Sequence, residues 1–258
     1  MKELKIILLA GQGVSTTHLY NSVSKKFTVS KVVVEEGIAK SKFFKRRIKN
    51  LGLFKVIGQI AFLLLLSPLI KWLSKSRIQN LKTLYNLEDK VIPADKILTT
   101  QSVNSKEIKE LLKIEKPDIV LISGTRIISK SVLNISKAPF INIHAGITPK
   151  YRGVHGGYWA LVNQDRQLCG VTIHKVDTGI DTGKVIAQDL IEINADDNYC
   201  TYPLIQLGLG LKMLNETLSA FSKTRRLDLK SPLTEESKLW SHPSFFEYLN
   251  HWLRKKIK

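Results

Sequence analysis

The 258 residues predict an α/β chain built on a doubly wound, mostly parallel sheet, with a helical insertion and a short C-terminal extension. Short apolar, β-branched runs recur along the chain, and helical patterns with capping residues stand between several of them. The composition, 43% hydrophobic and 24% charged, gives enough apolar surface to offset the entropy of folding. At roughly 150 residues per domain, one full-sized core is expected. A domain over residues 1–195 would carry that core, with residues 196–258 as a helix and an aromatic-rich extension.

Residues 4–10 form an apolar run closed by Gly11-Gln12-Gly13, and Ser15, Thr16 and Thr17 open a helical stretch to about Lys25. That order reads as buried strand, tight loop and capped helix. Further strands are expected at 27–34, 118–123, 138–144, 170–176 and 185–193, with helices at 105–116 and 157–162. This alternation is Rossmann-like, and in such sheets the ligand crevice lies beyond the carboxyl ends of the strands. Residues 202–221 make one amphipathic helix. Residues 222–258 hold Pro232, Pro243 and the aromatic residues Trp240, Phe245, Phe246, Tyr248 and Trp252, expected to wrap the core.

Forty Lys and Arg against 22 Asp and Glu leave a net charge of +18. The excess is local: no acidic residue stands between Glu36 and Glu88, while Lys40, Lys42, Lys45, Arg46, Arg47 and Lys49 open a basic stretch that continues to Lys82. Residues 56–70 are fifteen in a row without a charge. A membrane span needs about 18–20 apolar residues, and this run also contains Gln59 and Pro68, so no crossing is expected. The segment at about 40–77 is expected to be helical, packed on the domain or on a second copy in a homodimer. A basic helix leading into an apolar one also has the form of an anchor lying on an anionic membrane surface. Nucleic acid is not the expected partner, since the basic residues lack the interleaved aromatics of a strand reader. Two cysteines, Cys169 and Cys200, make neither a disulfide framework nor a cysteine zinc site, and no export signal is read at Met1-Lys2-Glu3 and the short run after it. A cytoplasmic protein is expected, peripheral at the inner membrane surface if the insertion anchors it.

The chemistry is concentrated in residues 139–153 and 169–183. Asn142 and His144, two apart on a strand, share a face. An amide beside an imidazole at the end of a buried strand can hold a carbonyl oxygen as it becomes negative and can carry a proton. The second segment is a strand, a loop with Asp177, Gly179, Asp181 and Gly183, and another strand. A carboxylate from either aspartate near His144 would orient the ring and raise its affinity for a proton. Such a set suits acyl or formyl transfer to an amine. No serine or cysteine stands in a nucleophile elbow or dyad, so direct transfer is expected over a covalent intermediate.

The run N-I-H-A-G-I-T-P-K-Y-R-G-V-H, followed about thirty residues on by G-V-T-I-H-K-V-D-T-G-I-D-T-G, resembles the N10-formyltetrahydrofolate-dependent formyltransferases. That family includes the enzymes acting on glycinamide ribonucleotide, on methionyl-tRNA and on amino sugars of bacterial surface polysaccharides. The resemblance is specific over about 117–190 and weaker at the opening strand and loop. It implies N10-formyltetrahydrofolate as formyl donor, no metal, and Asn142, His144 and Asp181 as the catalytic trio. Asp181 is preferred over Asp177 because it directly precedes the second Thr-Gly. It also implies that the backbone of Arg126, Ile127 and Ile128 meets the pterin, that Val176, Asp177 and Gly179 close the other side, and that Thr172 lines the pocket. Gly11, Gly13 and Ser15 correspond weakly to a phosphate cradle. His155, Tyr158 and Trp159 would stand on the acceptor side, stacking or merely packing. Where many members carry Pro-Ser after the histidine, this chain has Ala145-Gly146.

An amino sugar, nucleotide- or lipid-linked, is the first expectation for the acceptor amine, with glycinamide ribonucleotide as the alternative. The tRNA enzyme would account for the charge, but the resemblance brings with it a C-terminal barrel for which about 60 residues leave little room, and a deformylating hydrolase would be expected to carry a preceding domain. From a different class, the chain would be a non-catalytic membrane-surface protein retaining the fold.

Overall fold

A computed structural model describes residues 4–37 and 40–258; Met1, Lys2 and Glu3 lie outside the described residues. The chain opens with β1 (Lys5–Gly11), α1 (Val14–Ser24) and β2 (Thr28–Glu35). The insertion follows as α2 (Lys40–Leu51), α3 (Leu53–Ala61), a π-helical turn Phe62–Leu66, α4 (Ser67–Leu73) and α5 (Lys75–Leu84). Then come β3 (Ile97–Thr100), α6 (Lys106–Glu115), β4 (Ile119–Ser123), α7 (Lys130–Leu133) and β5 (Phe140–His144). After β6 (Arg152–Gly153) and α8 (Gly156–Val162), β7 (Gly170–Lys175) and β8 (Val185–Leu190) complete the sheet. The chain closes with α9 (Tyr202–Thr224), β9 (Leu239–Trp240) and α10 (Phe245–Lys255).

The sheet order is β3-β2-β1-β4-β5-β7-β8. β3 through β5 run parallel, whereas β7 pairs antiparallel with β5 and β8 with β7. β1 is buried on both faces, as its unbroken apolar run requires. Alternate residues feed opposite cores: Ile6 and Leu8 meet Leu19 of α1 and Leu214 of α9, while Ile7 and Leu9 meet Ile108 and Leu112 of α6. Gly11 ends β1 where a Cβ would collide with the Gly124 carbonyl, so the close approach of the β1 and β4 ends needs a glycine there. β3 was not expected from the sequence. ILTT is short and only one of its four residues is buried, so it lacks the pattern of a core strand and forms by docking on β2 at the sheet edge.

The insertion is helical, but α3, the π turn and α4 join into one 21-residue helix, Leu53–Leu73, long and apolar enough by length and composition to cross a membrane. The fifteen-residue count falls short of this because Leu53-Phe54 and Trp72-Leu73 continue the apolar character beyond Lys55 and Lys71. The π turn directly precedes Pro68, which lacks an amide hydrogen and would crowd the carbonyl four residues earlier. Widening lets the Ser67 amide bond the Phe62 carbonyl instead. One face of the helix is tied to the protein: Val56, Gln59 and Phe62 are buried. Gln59 Nε2 donates to the Ser241 hydroxyl at 3.2 Å and to the His242 carbonyl at 2.5 Å, and its oxygen accepts from Arg47 at 2.6 Å.

A third core of Phe62, Tyr151, Tyr158, Trp159, Tyr199 and Tyr248 joins the insertion, α8 and the C-terminal segment. α10 starts with a reciprocal cap between Ser244 and Glu247, and Glu247 pairs with Lys55 at 3.0 Å. The aromatic extension divides: Tyr248 is core and Trp240 packs on it, whereas Phe246 and Trp252 face outward.

Candidate active site at the strand ends

β5 places Asn142 and His144 two residues apart at its carboxyl end, and the β5/β7 register sets Asn142 opposite His174 and His144 opposite Thr172. The Nδ1–H of His174 donates to the Lys175 carbonyl at 2.8 Å, which leaves Nε2 as an acceptor in the neutral ring. The Asn142 amide nitrogen donates to that Nε2 at 3.2 Å. This fixes the orientation of the amide and leaves its second N–H for the cavity.

His144 is buried, with both ring nitrogens beside acceptors. Nε2 donates to the Tyr151 carbonyl at 2.7 Å, and Nδ1 stands 3.2 Å from Asp181 Oδ2. The same carboxylate accepts from the Gly153 amide at 3.0 Å. Burial pushes the His144 imidazole below its ordinary value, opposed by the Asp181 charge and the Tyr151 carbonyl. Burial works to raise the Asp181 carboxyl, but His144, His174 and the Gly153 amide overcome it and hold it at about 2. The pair therefore has a place for one proton, on Nδ1, where the carboxylate would stabilise it. Gly146 makes room for the ring: a Cβ there would meet His144 Nε2 at 2.9 Å and collide with the Tyr151 carbonyl.

These groups line a cavity of about 570 Å³, bounded also by Ser15, Ile122, the loop Gly124–Ile128 and the loop Val176–Asp181. It lies beyond the carboxyl ends of β4 and β5, and Ser15 at the start of α1 brings its rim to the side of β4 where the strand order reverses. Arg126, Ile127 and Ile128 lie on one wall and Val176, Asp177 and Gly179 on another, while His155 and Ser15 complete the rim. Asp177 shapes its own loop, accepting from the Gly179 amide at 2.9 Å and the Thr182 hydroxyl at 2.7 Å. His155 stacks on Tyr199 with ring centres 3.9 Å apart, and burial with His242 nearby lowers it to about 3.

Five expected residues do not line the cavity. Thr172 is fully buried, and its hydroxyl donates to the Gly146 carbonyl and accepts from the Thr148 amide, so it ties down the loop after β5. Tyr158 and Trp159 are core: the Tyr158 hydroxyl meets His251 Nδ1 at 2.8 Å and the Trp159 indole donates to the Ser241 carbonyl at 2.9 Å. Gly11 serves the close approach of β1 and β4, and Gly13 is exposed at the start of α1. Sequence reasoning missed His174, which orients Asn142, and Glu35. The Glu35 carboxylate, buried at the end of β2, accepts from the Val103 amide at 2.8 Å and the Arg126 amide at 2.9 Å and so pins the loop after β4. The available signals were His174 two positions from Thr172 on one strand face and an acidic residue closing an apolar strand.

A smaller chamber of about 300 Å³ adjoins the cavity through Ser15, Ile122 and Ala145. It is lined by Val14, Leu19, Pro203, Leu204 and Leu207 together with His18. The Thr16 hydroxyl is turned back to the Gly11 carbonyl at 2.9 Å, so Ser15 supplies the hydroxyl of the first α1 turn that faces the chamber.

The sequence profile of the formyl transferase family matches residues 60–203. The chain is 36% identical over 127 residues to methionyl-tRNA formyltransferase of Kosmotoga olearia, covering 49% of this chain and 40% of that protein. It is 32% identical over 162 residues to the enzyme of that name from Caldicellulosiruptor saccharolyticus, covering 55% and 52%. The chain thus spans about half, or less, of the length of these relatives. Among solved structures, phosphoribosylglycinamide formyltransferase from Streptococcus pneumoniae aligns with a TM-score of 0.54 at 21% identity, over 85% of this chain and 99% of that one. A 4-N formyltransferase from Francisella tularensis aligns with a TM-score of 0.54 at 18% identity, over 96% and 78%. At these identities the likeness is one of fold.

Proposed function

The chain belongs to the formyl transferase family, and we propose that it moves a formyl group from N10-formyltetrahydrofolate to a primary amine of a small molecule, an amino sugar carried on a nucleotide or a lipid. The observation that carries the reading is Asn142, His144 and Asp181 linked within hydrogen-bonding distance of one another or of His174 on the wall of one cavity. The cavity fits the donor: about 570 Å³ suits a bicyclic pterin, with loop backbone at 126–128 for its polar edge and Ile122 and Val176 for its faces. Bound there, the donor supplies a formyl carbon whose bond to N10 is exchanged for a bond to the acceptor nitrogen, one proton passing from that nitrogen to N10.

The residues divide the work. The free N–H of Asn142 donates to the formyl oxygen as negative charge builds on it, in an orientation already set by His174. His144 takes the amine proton at Nδ1, where ionised Asp181 offsets the new charge, and releases it to the leaving nitrogen. The Tyr151 carbonyl holds the ring in position throughout.

The chamber beside the cavity, walled mainly by Val14, Leu19, Pro203, Leu204 and Leu207, supports an acceptor amine carried on a ring with an apolar face. A second reading, transfer to methionyl-tRNA, draws on the 36% identity to the Kosmotoga enzyme and on the charge of +18. The test is formation of tetrahydrofolate from the formyl donor with no acceptor, with amino-sugar nucleotides, with glycinamide ribonucleotide and with methionyl-tRNA. Turnover with amino sugars supports the proposal. Turnover with another acceptor replaces that part of it, turnover without acceptor makes the protein a hydrolase, and donor that fails to bind at all favours a non-catalytic protein.

A further inference from the structure

We propose that the Leu53–Leu73 helix docks this protein on an anionic lipid bilayer, lying flat at the interface. The side of the helix turned away from the protein is apolar: Phe54 is 90% exposed, Trp72 71% and Leu64 70%, with Ile57, Leu65 and Leu73 also exposed. Side chains of this size left in water on one helix form a surface that a soluble monomer rarely carries. The opposite face is fixed to the protein by Val56, Gln59 and Phe62. A helix held along one face cannot turn to cross a bilayer without breaking the Gln59 contacts to Ser241 and His242, so it lies in the interface plane.

Charge complementarity selects the lipid. Lys45, Arg46 and Lys49 on α2 and Lys71 and Lys75 at the far end of the apolar helix are exposed, and none has a carboxylate within ion-pair distance among the described residues. No acidic residue occurs from 37 to 87 to pair with them. A second copy placed on this face would oppose two such basic rims with no counter-charge from the same segment. An anionic headgroup layer neutralises them while the apolar side chains enter the acyl boundary. The surface also reaches the cavity through two rings: Phe62 packs on Tyr199 at 4.9 Å, and Tyr199 stacks on His155 at the cavity rim.

The test uses the full chain with vesicles of phosphatidylcholine alone or mixed with phosphatidylglycerol, read by co-sedimentation and by quenching of tryptophan with brominated lipids. Sedimentation with the anionic vesicles only, weakened by salt, is expected, with quenching lost in Trp72→Phe and strongest from bromines placed near the headgroups. Phe54→Glu combined with Leu64→Glu should weaken binding by about tenfold or more. Both positions are exposed, so an unchanged melting curve shows that the fold is intact. Folded wild-type protein that ignores anionic vesicles, or that binds both kinds equally, overturns the proposal. So does quenching strongest at the bilayer centre, or a dimer that the double variant dissolves.

Discussion

At the scale of single residues, the account rests on hydrogen bonds that leave one Asn142 N–H for the cavity and one proton site between His144 and Asp181 on its wall. Removing a well-aimed oxyanion donor costs about 10²–10³ in turnover, so Asn142→Ala should lose that much while donor binding, followed by equilibrium fluorescence, stays near normal. Gly146→Ala places a methyl against His144 Nε2 and the Tyr151 carbonyl. It should lower turnover about tenfold and stability by roughly 1–3 kcal/mol, measurable by steady-state kinetics and denaturant titration. His155 is lowered to about 3 and His242 to about 4, mainly by burial, and the two rings lie 5.1 Å apart with Arg47 near His242 and Tyr199 bonded to it. The unfolded chain takes up protons near pH 6.5 that the folded chain refuses. Stability is therefore full above that pH and falls as pH drops toward 4, by up to roughly 2 kcal/mol per histidine at pH 5. Melting of His155→Gln across pH 5–7.5 should show a shallower decline than wild type. Asn142 and His144 were legible as residues sharing one strand face because a two-residue period is a local pattern, whereas the glycine-flanked loop left Asp177 and Asp181 both open and the family resemblance alone selected Asp181. His174 was not, because its role depends on an antiparallel register between β5 and β7 that no single segment encodes. Thr172 was misplaced for a related reason: an inward hydroxyl on a buried strand has either a ligand or a loop to satisfy, and here the Gly146 carbonyl takes it.

At the scale of elements, the strands and helices of the doubly wound sheet were legible wherever burial on both faces imposed a continuous apolar run. β3 escaped because edge strands are selected by pairing more than by pattern. The insertion was legible as helical, but its length was not, since Lys55 and Lys71 interrupt the apolar run in sequence while the helix runs straight through them. Its attachment depends on Gln59, 2% exposed and bonded to Arg47, Ser241 and His242. Gln59→Leu removes all three of these hydrogen bonds from a buried position and should cost about 1–3 kcal/mol, seen in urea unfolding. The same substitution should increase proteolysis between the insertion and the C-terminal segment, whereas Phe54→Glu, on the exposed face, should alter neither measurement.

At the scale of the whole molecule, the sheet, the insertion and the C-terminal segment meet at the aromatic core around Phe62, Tyr199 and Tyr248, directly behind the cavity rim. That arrangement joins the chemistry of the strand ends to an exposed apolar helix with a basic border, a combination that composition hinted at only as an excess of +18. The acceptor was the least legible part, because the chamber that would receive it is assembled from α1, the β5 end and α9, far apart in the chain. The central claim is that the wall of this cavity catalyses formyl transfer, and the rate of amine-dependent tetrahydrofolate formation, compared between wild type and Asn142→Ala, tests it most directly. The account predicts turnover in wild type that requires an amine and falls by about 10²–10³ in the variant. Equal rates in the two proteins, or no turnover by wild type with any amine, would contradict it.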